Sequence, residues 1–262
     1  MTNSSNVIVK PPENGISRIK LNEPGSYNAL SSKTLNSLIN IFKNLNSDDK
    51  TKVIIIEGLG KGFSAGHDLK EIRSLKNKKE KYKKLFNTCS KLMLEIIEGK
   101  KPVIAKIHGA AYAAGCQLAA SCDLAYSTNK ATFATPGVNI GLFCSTPMVA
   151  VSRKVSRKKT MKMLLTGDPI DAKYAKEIGL INDYYSILQL EEKTLELAKK
   201  IASKSNLVIK IGKKAFYRQL EMPLKKAYKY TSKVMTENMM ALDAKEGISA
   251  FLDKRKPNWQ NK

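Results

Sequence analysis

The chain has 262 residues, and 46 lysines and arginines against 23 aspartates and glutamates give it a formal net charge of +23. This length fits one domain, or one domain with a small appendage, and its core needs no disulfide or structural metal. No run of about 18 apolar residues is present, which excludes a membrane-spanning helix. The 4 cysteines and 2 histidines show no zinc-ligand spacing, so reduced, buried thiols are expected. Residues 1–12 carry no targeting pattern, which favours a cytoplasmic location.

The excess of positive charge could indicate a polyanionic partner. Most of the cations are lysines, however, whereas arginine is the side chain that forms planar forks with bases and phosphates. The basic run at 76–84 has one aromatic residue, Tyr82, and no arginine. Such a run is typical of a solvated helix face, so nucleic acid is the disfavoured partner.

Strand-like and helix-like segments alternate over the first two thirds of the chain. Alternating or continuous apolar residues predict strands over 16–21, 53–56, 103–107, 124–126 and 131–134. Helical spacing predicts helices over 31–45, over 69–97, and from Ala113 or Ala114 to Ser121. Asp68 with Glu71 three residues later has the pattern of a capping box at the start of the second helix. This alternation indicates an α/β domain.

After about Thr146 the pattern changes to one helix after another. Helices are predicted over 148–155, 157–165, 172–177, 190–202, 208–220 and 224–253. The apolar stripe between Tyr228 and Phe251 must pack on the core or on another subunit. We therefore divide the chain into a core over 1–200 and a C-terminal helical oligomerisation region over 201–262.

Two glycine-containing turns follow two of the predicted buried strands. Residues 62–68 precede one helix, and residues 108–115 precede another. Small residues at such a transition let a ligand approach the backbone, and free N–H groups at a helix start bind negative charge. Two such turns side by side could form an oxyanion hole, or both could be ordinary tight turns.

Several blocks of sequence, in this order, resemble the crotonase family, also called the enoyl-CoA hydratase/isomerase family, over nearly the whole chain. They are Asn28-Ala29-Leu30, Phe63-Ser64-Ala65-Gly66-His67-Asp68-Leu69, Pro102-Val103-Ile104-Ala105 through Gly109, Gly115-Cys116-Gln117-Leu118-Ala119 through Cys122-Asp123, Thr166-Gly167 through Gly179-Leu180, and Glu246-Gly247-Ile248 through Lys254-Arg255-Lys256-Pro257.

The resemblance implies a twisted spiral of ββα units that holds an acyl-CoA thioester, followed by helices that build trimers, often paired into hexamers. It implies no metal and no cofactor other than the coenzyme A of the substrate. The oxyanion N–H groups would come from His67 and Ala114. The residues that contact the substrate would be Ser26, Asn28, Ala65, Gly66, His67, Asp68 and Leu69, with Phe251 and Lys254 from the C-terminal tail.

The chain departs from the family pattern at both catalytic glutamates. Gln117 and Gly137 stand at those positions. The Gln117 amide cannot transfer protons at neutral pH, and Gly137 has no side chain to do so. Ordinary hydration of a double bond is therefore expected to be slow. Replacing both residues by glutamate is expected to raise it. In lacking the glutamates, the chain is similar to the enoyl-CoA hydratase domain-containing subgroup.

Three other side chains near these blocks have alternative interpretations. The His67 ring could transfer protons near neutral pH. Alternatively, only the backbone N–H of His67 could contribute to the site, while the ring has a structural role. Cys144 is interpreted as a small buried hydrophobe, and Asp123 as structural.

Three functions remain open. The first is an acyl-CoA enzyme, a lyase or isomerase, that stabilises a thioester enolate. The second is a non-catalytic acyl-CoA-binding homologue. The least favoured is a nucleic-acid-binding protein.

Overall fold

The computed structural model describes residues 6–76 and 78–262. Its centre contains a six-stranded sheet in the order β1-β2-β3-β5-β7-β10. Strands β1 and β2 pair antiparallel, and the other neighbours are parallel. The strands are β1 Val7–Glu13, β2 Ile16–Leu21, β3 Val53–Gly58, β5 Val103–Ile107, β7 Leu124–Thr128 and β10 Asp183–Tyr185.

A second sheet has four short strands in the order β4-β6-β8-β9. The first three are parallel to one another, and the last pairs antiparallel. These strands are β4 Gly62–Ser64, β6 Ala110–Tyr112, β8 Thr132–Ala134 and β9 Ile170–Asp171. The turns predicted at 62–68 and 108–115 therefore each contain a short strand.

Three consecutive strand pairs build both sheets together. In each pair (β3 with β4, β5 with β6, β7 with β8), the first strand joins the six-stranded sheet and the second joins the four-stranded one. Helical segments follow each pair. This is the ββα spiral that the family resemblance implies, within an α/β fold.

The helices of the first two thirds follow the predictions, with one correction. They are α1 Ser32–Ser47, α2 Leu69–Ser74, α3 Lys79–Ile97 and α4 Ala114–Ser121. The single helix predicted over 69–97 is wrong, because α2 and α3 are separate. Lys76 has a φ of 49°, and this left-handed backbone cannot continue an α-helix.

The last third is almost entirely helical, as predicted. Its helices are α5 Ser145–Val151, α6 Arg157–Thr166, α7 Ala172–Glu177, α8 Ile187–Ala202, α9 Asn206–Leu220, α10 Leu224–Met239 and α11 Leu242–Leu252. The single helix predicted over 224–253 is wrong as well, since Ala241 has an extended ψ of 146° between α10 and α11. Two short 3₁₀ helices, Pro24–Ser26 and Pro136–Ile140, complete the elements.

Alternate residues of the large sheet face two different layers. On one face, residues such as Ile54 and Ile56 join a core with Phe63 and Phe133 of the small sheet. On the other face, residues such as Ile55 pack against α8. The small sheet and the turns that follow it therefore lie on the side of the large sheet away from α8.

Candidate functional site

The first glycine turn, between β4 and α2, is held against the segment before α1. The Ala65 N–H donates to the Tyr27 carbonyl at 2.9 Å, and the Leu30 N–H donates to the Gly66 carbonyl at 2.7 Å. The Ser64 hydroxyl donates to the Asn28 carbonyl at 2.9 Å. These bonds fix the backbone around Gly66, which has a φ of +93°.

The second turn, between β6 and α4, is held by the small sheet. The Ala113 N–H donates to the Ala134 carbonyl at 2.9 Å. Ala113 has a φ of 49° and a ψ of −117°, a conformation that an L-residue adopts only under strain. Ala114 follows as the first residue of α4, so its N–H lies at the positive end of that helix.

The two turns meet at Gly66. A Cβ on Gly66 would lie 3.0 Å from the Ala114 nitrogen and 2.9 Å from the Tyr112 carbonyl oxygen. Within the described parts of the chain, the N–H groups of His67 and Ala114 have no protein acceptor. The bare backbone of Gly66 therefore leaves open the space beside the Ala114 N–H.

The His67 ring packs between the neighbouring elements. Its Nδ1 lies 3.4 Å from the Leu30 carbonyl oxygen, and its ring meets the Phe86 ring edge-on, with centroids 5.3 Å apart. Among the described residues, Nε2 is a buried atom without a hydrogen-bond partner. Burial lowers the pKa of His67 below its ordinary value of 6.5. The ring is therefore neutral at neutral pH.

Gln117 is buried on α4. The Cys89 thiol, on α3, is positioned to donate to the Gln117 Oε1 at 3.8 Å. Burial raises the pKa of Cys89 to about 12, so the thiol keeps its proton and remains a donor. This position holds a neutral amide whose oxygen faces a neutral thiol.

Backbone fills the space beside Gly137. A Cβ there would come closer to the Leu142 carbonyl oxygen than van der Waals contact allows, and would lie 2.9 Å from the Cys144 Sγ. The Gly137 N–H donates to that sulfur at 3.3 Å, and the Leu142 N–H donates to the Gly137 carbonyl at 2.9 Å. A side chain at Gly137 would therefore require the loop to move, which argues against the expectation that Gly137→Glu helps to restore hydration.

Cys144 is buried, as predicted, and lies beside the first turn of α4. Burial, and then the neighbouring Cys144, raise the pKa of the Cys116 thiol to about 12. Burial raises the pKa of the Cys144 thiol as well. Both thiols are protonated and behave as small apolar groups.

Asn28, a predicted contact residue, uses its whole side chain within the protein. Its amide donates to the carbonyls of Leu59 and Gly62 at 2.9 and 2.8 Å, and its Oδ1 accepts from the Glu23 N–H at 2.9 Å. Ser26 is exposed, with its hydroxyl 3.1 Å from the Glu23 carbonyl. Asn28 therefore has only backbone groups left to meet a ligand, whereas the side chains of Ser26 and Tyr27 are exposed.

Asp68 caps α2, as predicted, by accepting from the N–H groups of Lys70 and Glu71. The capping box is incomplete, because the Glu71 carboxylate accepts instead from the Ser32 N–H at 2.8 Å. Ala65 and Leu69 are exposed at the two ends of this turn.

The two predicted tail residues belong to the C-terminal helical region. Phe251 and Lys254 are exposed at the end of α11, which packs on α10. Over residues 6–76 and 78–262, neither makes a hydrogen bond to the glycine turns.

Asp123 is structural, as predicted, but sequence reasoning missed its partners. The carboxylate accepts from the Val103 N–H at 2.7 Å, from the Lys213 Nζ at 2.7 Å and from the Tyr217 hydroxyl at 2.9 Å. The buried Lys213 ammonium also donates to the carbonyls of Ile96 and Lys101. This cluster ties α9 to the ends of α3 and α4.

Two surface depressions lie elsewhere. One, of about 370 Å³, lies along α3 between Glu80 and Lys91, and the other, of about 350 Å³, lies beside β9. Among the described residues, no helix is long and apolar enough to cross a membrane, and no group of three or more acidic, histidine or cysteine side chains could hold a metal ion.

Comparison with known proteins identifies the family. The model of the Enoyl-CoA hydratase/isomerase family matches residues 12–262. The chain belongs to this family. It is 48% identical over 248 residues to the human enoyl-CoA hydratase domain-containing protein 3, mitochondrial, with 94% of this chain and 81% of the relative covered. It is 34% identical to the enoyl-CoA hydratase, mitochondrial, of Pongo abelii, with 95% and 84% covered.

Solved structures agree with this assignment. The crystal structure of an enoyl-CoA hydratase from Mycobacterium smegmatis superposes with a TM-score of 0.95 at 43% identity, covering 98% of this chain and 99% of that one. The human enoyl-CoA hydratase domain-containing protein 3 superposes with a TM-score of 0.94 at 45% identity, covering 97% and 100%. The names of the curated relatives include "mitochondrial" and give no support to the cytoplasmic location expected from the sequence.

Proposed function

We propose that the chain binds acyl-CoA thioesters and polarises the thioester carbonyl with the backbone N–H groups of His67 and Ala114. The observation that carries this proposal is the contact of the two turns at Gly66, where the missing Cβ leaves the Ala114 N–H open. Negative charge on a carbonyl oxygen is stabilised by such preorganised donors, and removing one typically costs about 3 kcal/mol in the transition state.

The coenzyme would lie across the segment at 26–28 and the first turn. Because the Asn28 side chain is fully used, Asn28 would contact the nucleotide through backbone groups, beside the Ser26 hydroxyl. Ala65, Gly66, Asp68 and Leu69 would line the path from there to the thioester. Phe251 and Lys254 would come from a neighbouring copy, in a trimer or a dimer of trimers.

The exposed apolar side chains of α9 to α11 support this assembly. Phe216, Leu224, Tyr228, Met235 and Phe251 are all more than half exposed. A face of this kind typically marks an interface between chains.

Hydration would be slow, because Gln117 and Gly137 replace both proton carriers of a two-glutamate enzyme. Each positioned acid or base typically contributes about 10² to 10⁴-fold to the rate. The chain would instead catalyse a reaction that passes through the thioester enolate and needs no carboxylate as a general acid or base. A non-catalytic acyl-CoA-binding protein is the second candidate, favoured by the neutral Cys89–Gln117 pair.

Calorimetry with an acyl-CoA and with its free fatty acid tests the proposal. We expect micromolar affinity for the thioester, because basic side chains of the protein would hold the nucleotide phosphates of coenzyme A. The free acid lacks these phosphates and should show no measurable binding. Equal affinity for both ligands would refute a coenzyme A site. Turnover of crotonyl-CoA at the rate of ordinary hydratases would refute the assignment of slow hydration.

A further inference from the structure

The chain reverses direction after α11 and runs back along that helix. The reversal occurs at Lys254, which has a left-handed φ of 54°. The Arg255 guanidinium then donates to the Glu246 carboxylate at 2.7 and 2.9 Å, and the Asn258 N–H donates to the same carboxylate at 2.7 Å. We call residues 255–262 the C-terminal strap.

The end of the C-terminal strap is held by Asp243, near the start of α11. The side chain of Asp243 is buried, and its carboxylate accepts from the N–H groups of Gln260 and Asn261 at 2.7 and 3.0 Å. The same carboxylate accepts from the Ser205 hydroxyl, just before α9. The Asp243 N–H in turn donates to the Lys262 carbonyl at 3.2 Å. Because a buried carboxylate needs hydrogen bonds of this kind, Asp243 ties the strap to the starts of α9 and α11.

Trp259 fastens the middle of the C-terminal strap. Its indole N–H donates to the Ser203 carbonyl, just after α8, at 2.9 Å. Its ring lies against Gly247 of α11, where an added Cβ would be 3.2 Å from the ring. The Asn261 side chain also accepts from the N–H of Asn206, the first residue of α9, at 2.8 Å. The strap therefore connects α11 with the end of α8 and the start of α9.

Apolar packing within this chain does little to fix α11. Of the described residues of this helix, the buried ones are Asp243 and Ala250. Its large apolar side chains are exposed: Leu242, Ile248, Phe251 and Leu252. Because few apolar contacts hold the helix, the hydrogen bonds of the strap set much of its position.

We propose that Asp243 is a positioning residue for coenzyme A binding. By holding the C-terminal strap, it fixes the end of α11, so that Phe251 and Lys254 can reach the site of a neighbouring copy. This inference rests on the proposed function. The Arg255 N–H donates to the Ala250 carbonyl at 3.0 Å and so holds the turn at Lys254. Glycine is the usual residue in a left-handed turn that ends a helix, whereas a lysine there supplies an ammonium group that can bind a phosphate.

Tryptophan fluorescence reports the state of the strap directly, because Trp259 is the one tryptophan in the sequence. Asp243→Asn replaces an acceptor oxygen by an amide nitrogen that cannot accept from the strap N–H groups. We expect this variant to shift the Trp259 emission to longer wavelength and to increase its quenching by acrylamide. Asp49→Asn is the matched control, because it removes the same charge at an exposed position and should leave the emission unchanged.

Calorimetry with butanoyl-CoA on the whole chain tests the positioning role. Asp243→Asn and Lys254→Ala should each raise Kd by about tenfold, because each loses a charged contact with the coenzyme. The double variant should raise Kd by much less than the product of the two effects, since Asp243 acts through Lys254. Trp259→Ala should also raise Kd. This surface substitution leaves the buried carboxylate intact, so it tests the strap even where Asp243→Asn does not fold.

The outcomes separate this inference from the proposed function. If butanoyl-CoA binds the wild type and the folded strap variants equally, or if the two effects multiply in the double variant, Asp243 is not a positioning residue and the coenzyme A site stands. If the wild type binds no thioester, both proposals fail. If light scattering shows that Asp243→Asn separates into single copies while the wild type is assembled, the strap holds the assembly together instead, and the proposal is overturned.

Discussion

The Leu142 carbonyl oxygen occupies the space that a side chain on Gly137 would need. The loop from Leu142 to Cys144 thus closes over the Gly137 backbone, and any side chain at this position would require the loop to move.

We expect Gly137→Ala and Gly137→Glu to destabilise the chain by about 1–3 kcal/mol, because each forces the loop at Leu142 and Cys144 to move. The double variant Gln117→Glu/Gly137→Glu should hydrate crotonyl-CoA no faster than Gln117→Glu alone. Urea unfolding and a hydration assay measure the two effects. Gly212→Ala is the control for stability, since a Cβ there meets nothing within 4 Å, and it should be neutral or stabilising. A well-folded double variant with faster hydration would contradict this account of the loop.

Gly66→Ala should weaken acyl-CoA binding by about tenfold or more, because the added Cβ would lie 3.0 Å from the Ala114 nitrogen and block its N–H. Gly141→Ala is the matched control. Gly141 also has a positive φ, of 76°, but a Cβ there meets open space. Both variants carry backbone strain at a positive φ, but only Gly66→Ala adds a close contact with backbone, so unfolding experiments should show the larger loss of stability in Gly66→Ala. Calorimetry therefore compares the two folded proteins below their unfolding transitions. Equal affinities would argue against the Ala114 N–H as a ligand-binding group.

The lowered pKa of His67 gives the stability a dependence on pH with a definite sign. In the unfolded chain the ring titrates near 6.5, whereas burial keeps it neutral to lower pH in the folded chain. Between these pKa values the unfolded state binds more protons, so the contribution of His67 is present above about pH 6.5 and is lost as the pH falls. In His67→Gln, the urea concentration at the unfolding midpoint should change less between about pH 7.5 and pH 5 than it does in the wild type. An unchanged slope would contradict the buried, neutral ring.

Lys213→Met should destabilise the chain by about 3–5 kcal/mol, because it leaves the Asp123 carboxylate without its buried cation. Tyr217→Phe removes one hydrogen bond to that carboxylate and should cost about 1.5–3 kcal/mol. Lys214→Met, at the exposed neighbouring position, should change the free energy of unfolding by no more than about 0.5 kcal/mol. If Lys213→Met matched the Lys214→Met control, the cluster would not anchor α9.

Much of the fold could be predicted from sequence, because apolar periodicity reports which residues are buried. The strand Val103–Ile107 and the helix Ala114–Ser121 match their predicted bounds. The strand Val7–Glu13 was missed, although Asn14-Gly15 after it is a strong hairpin signal and both residues have positive φ. Its alternation is weak because it lies at the sheet edge, where several of its side chains meet water.

The site was only partly accessible to the same reasoning. Motif resemblance pointed to Gly66 and Ala114, which the two turns bring together, whereas the roles predicted for Gln117 and Gly137 stay predictions. It could not reveal that the Leu142 carbonyl fills the space at Gly137, since that contact depends on how the following loop folds. Nor could it pair Asp123 with Lys213, which lies 90 residues away in sequence.

The most direct test of the central claim is the infrared carbonyl stretch of an acyl-CoA carrying a heavy isotope at the thioester carbon. Hydrogen bonds from the N–H groups of His67 and Ala114 would draw electrons toward the carbonyl oxygen and weaken the bond. The account predicts a lower stretching frequency on binding to the wild type and to Gly141→Ala, with a smaller shift in any ligand that Gly66→Ala retains, because the His67 N–H is then the remaining donor. A thioester that binds tightly to the wild type with an unshifted carbonyl frequency would contradict it.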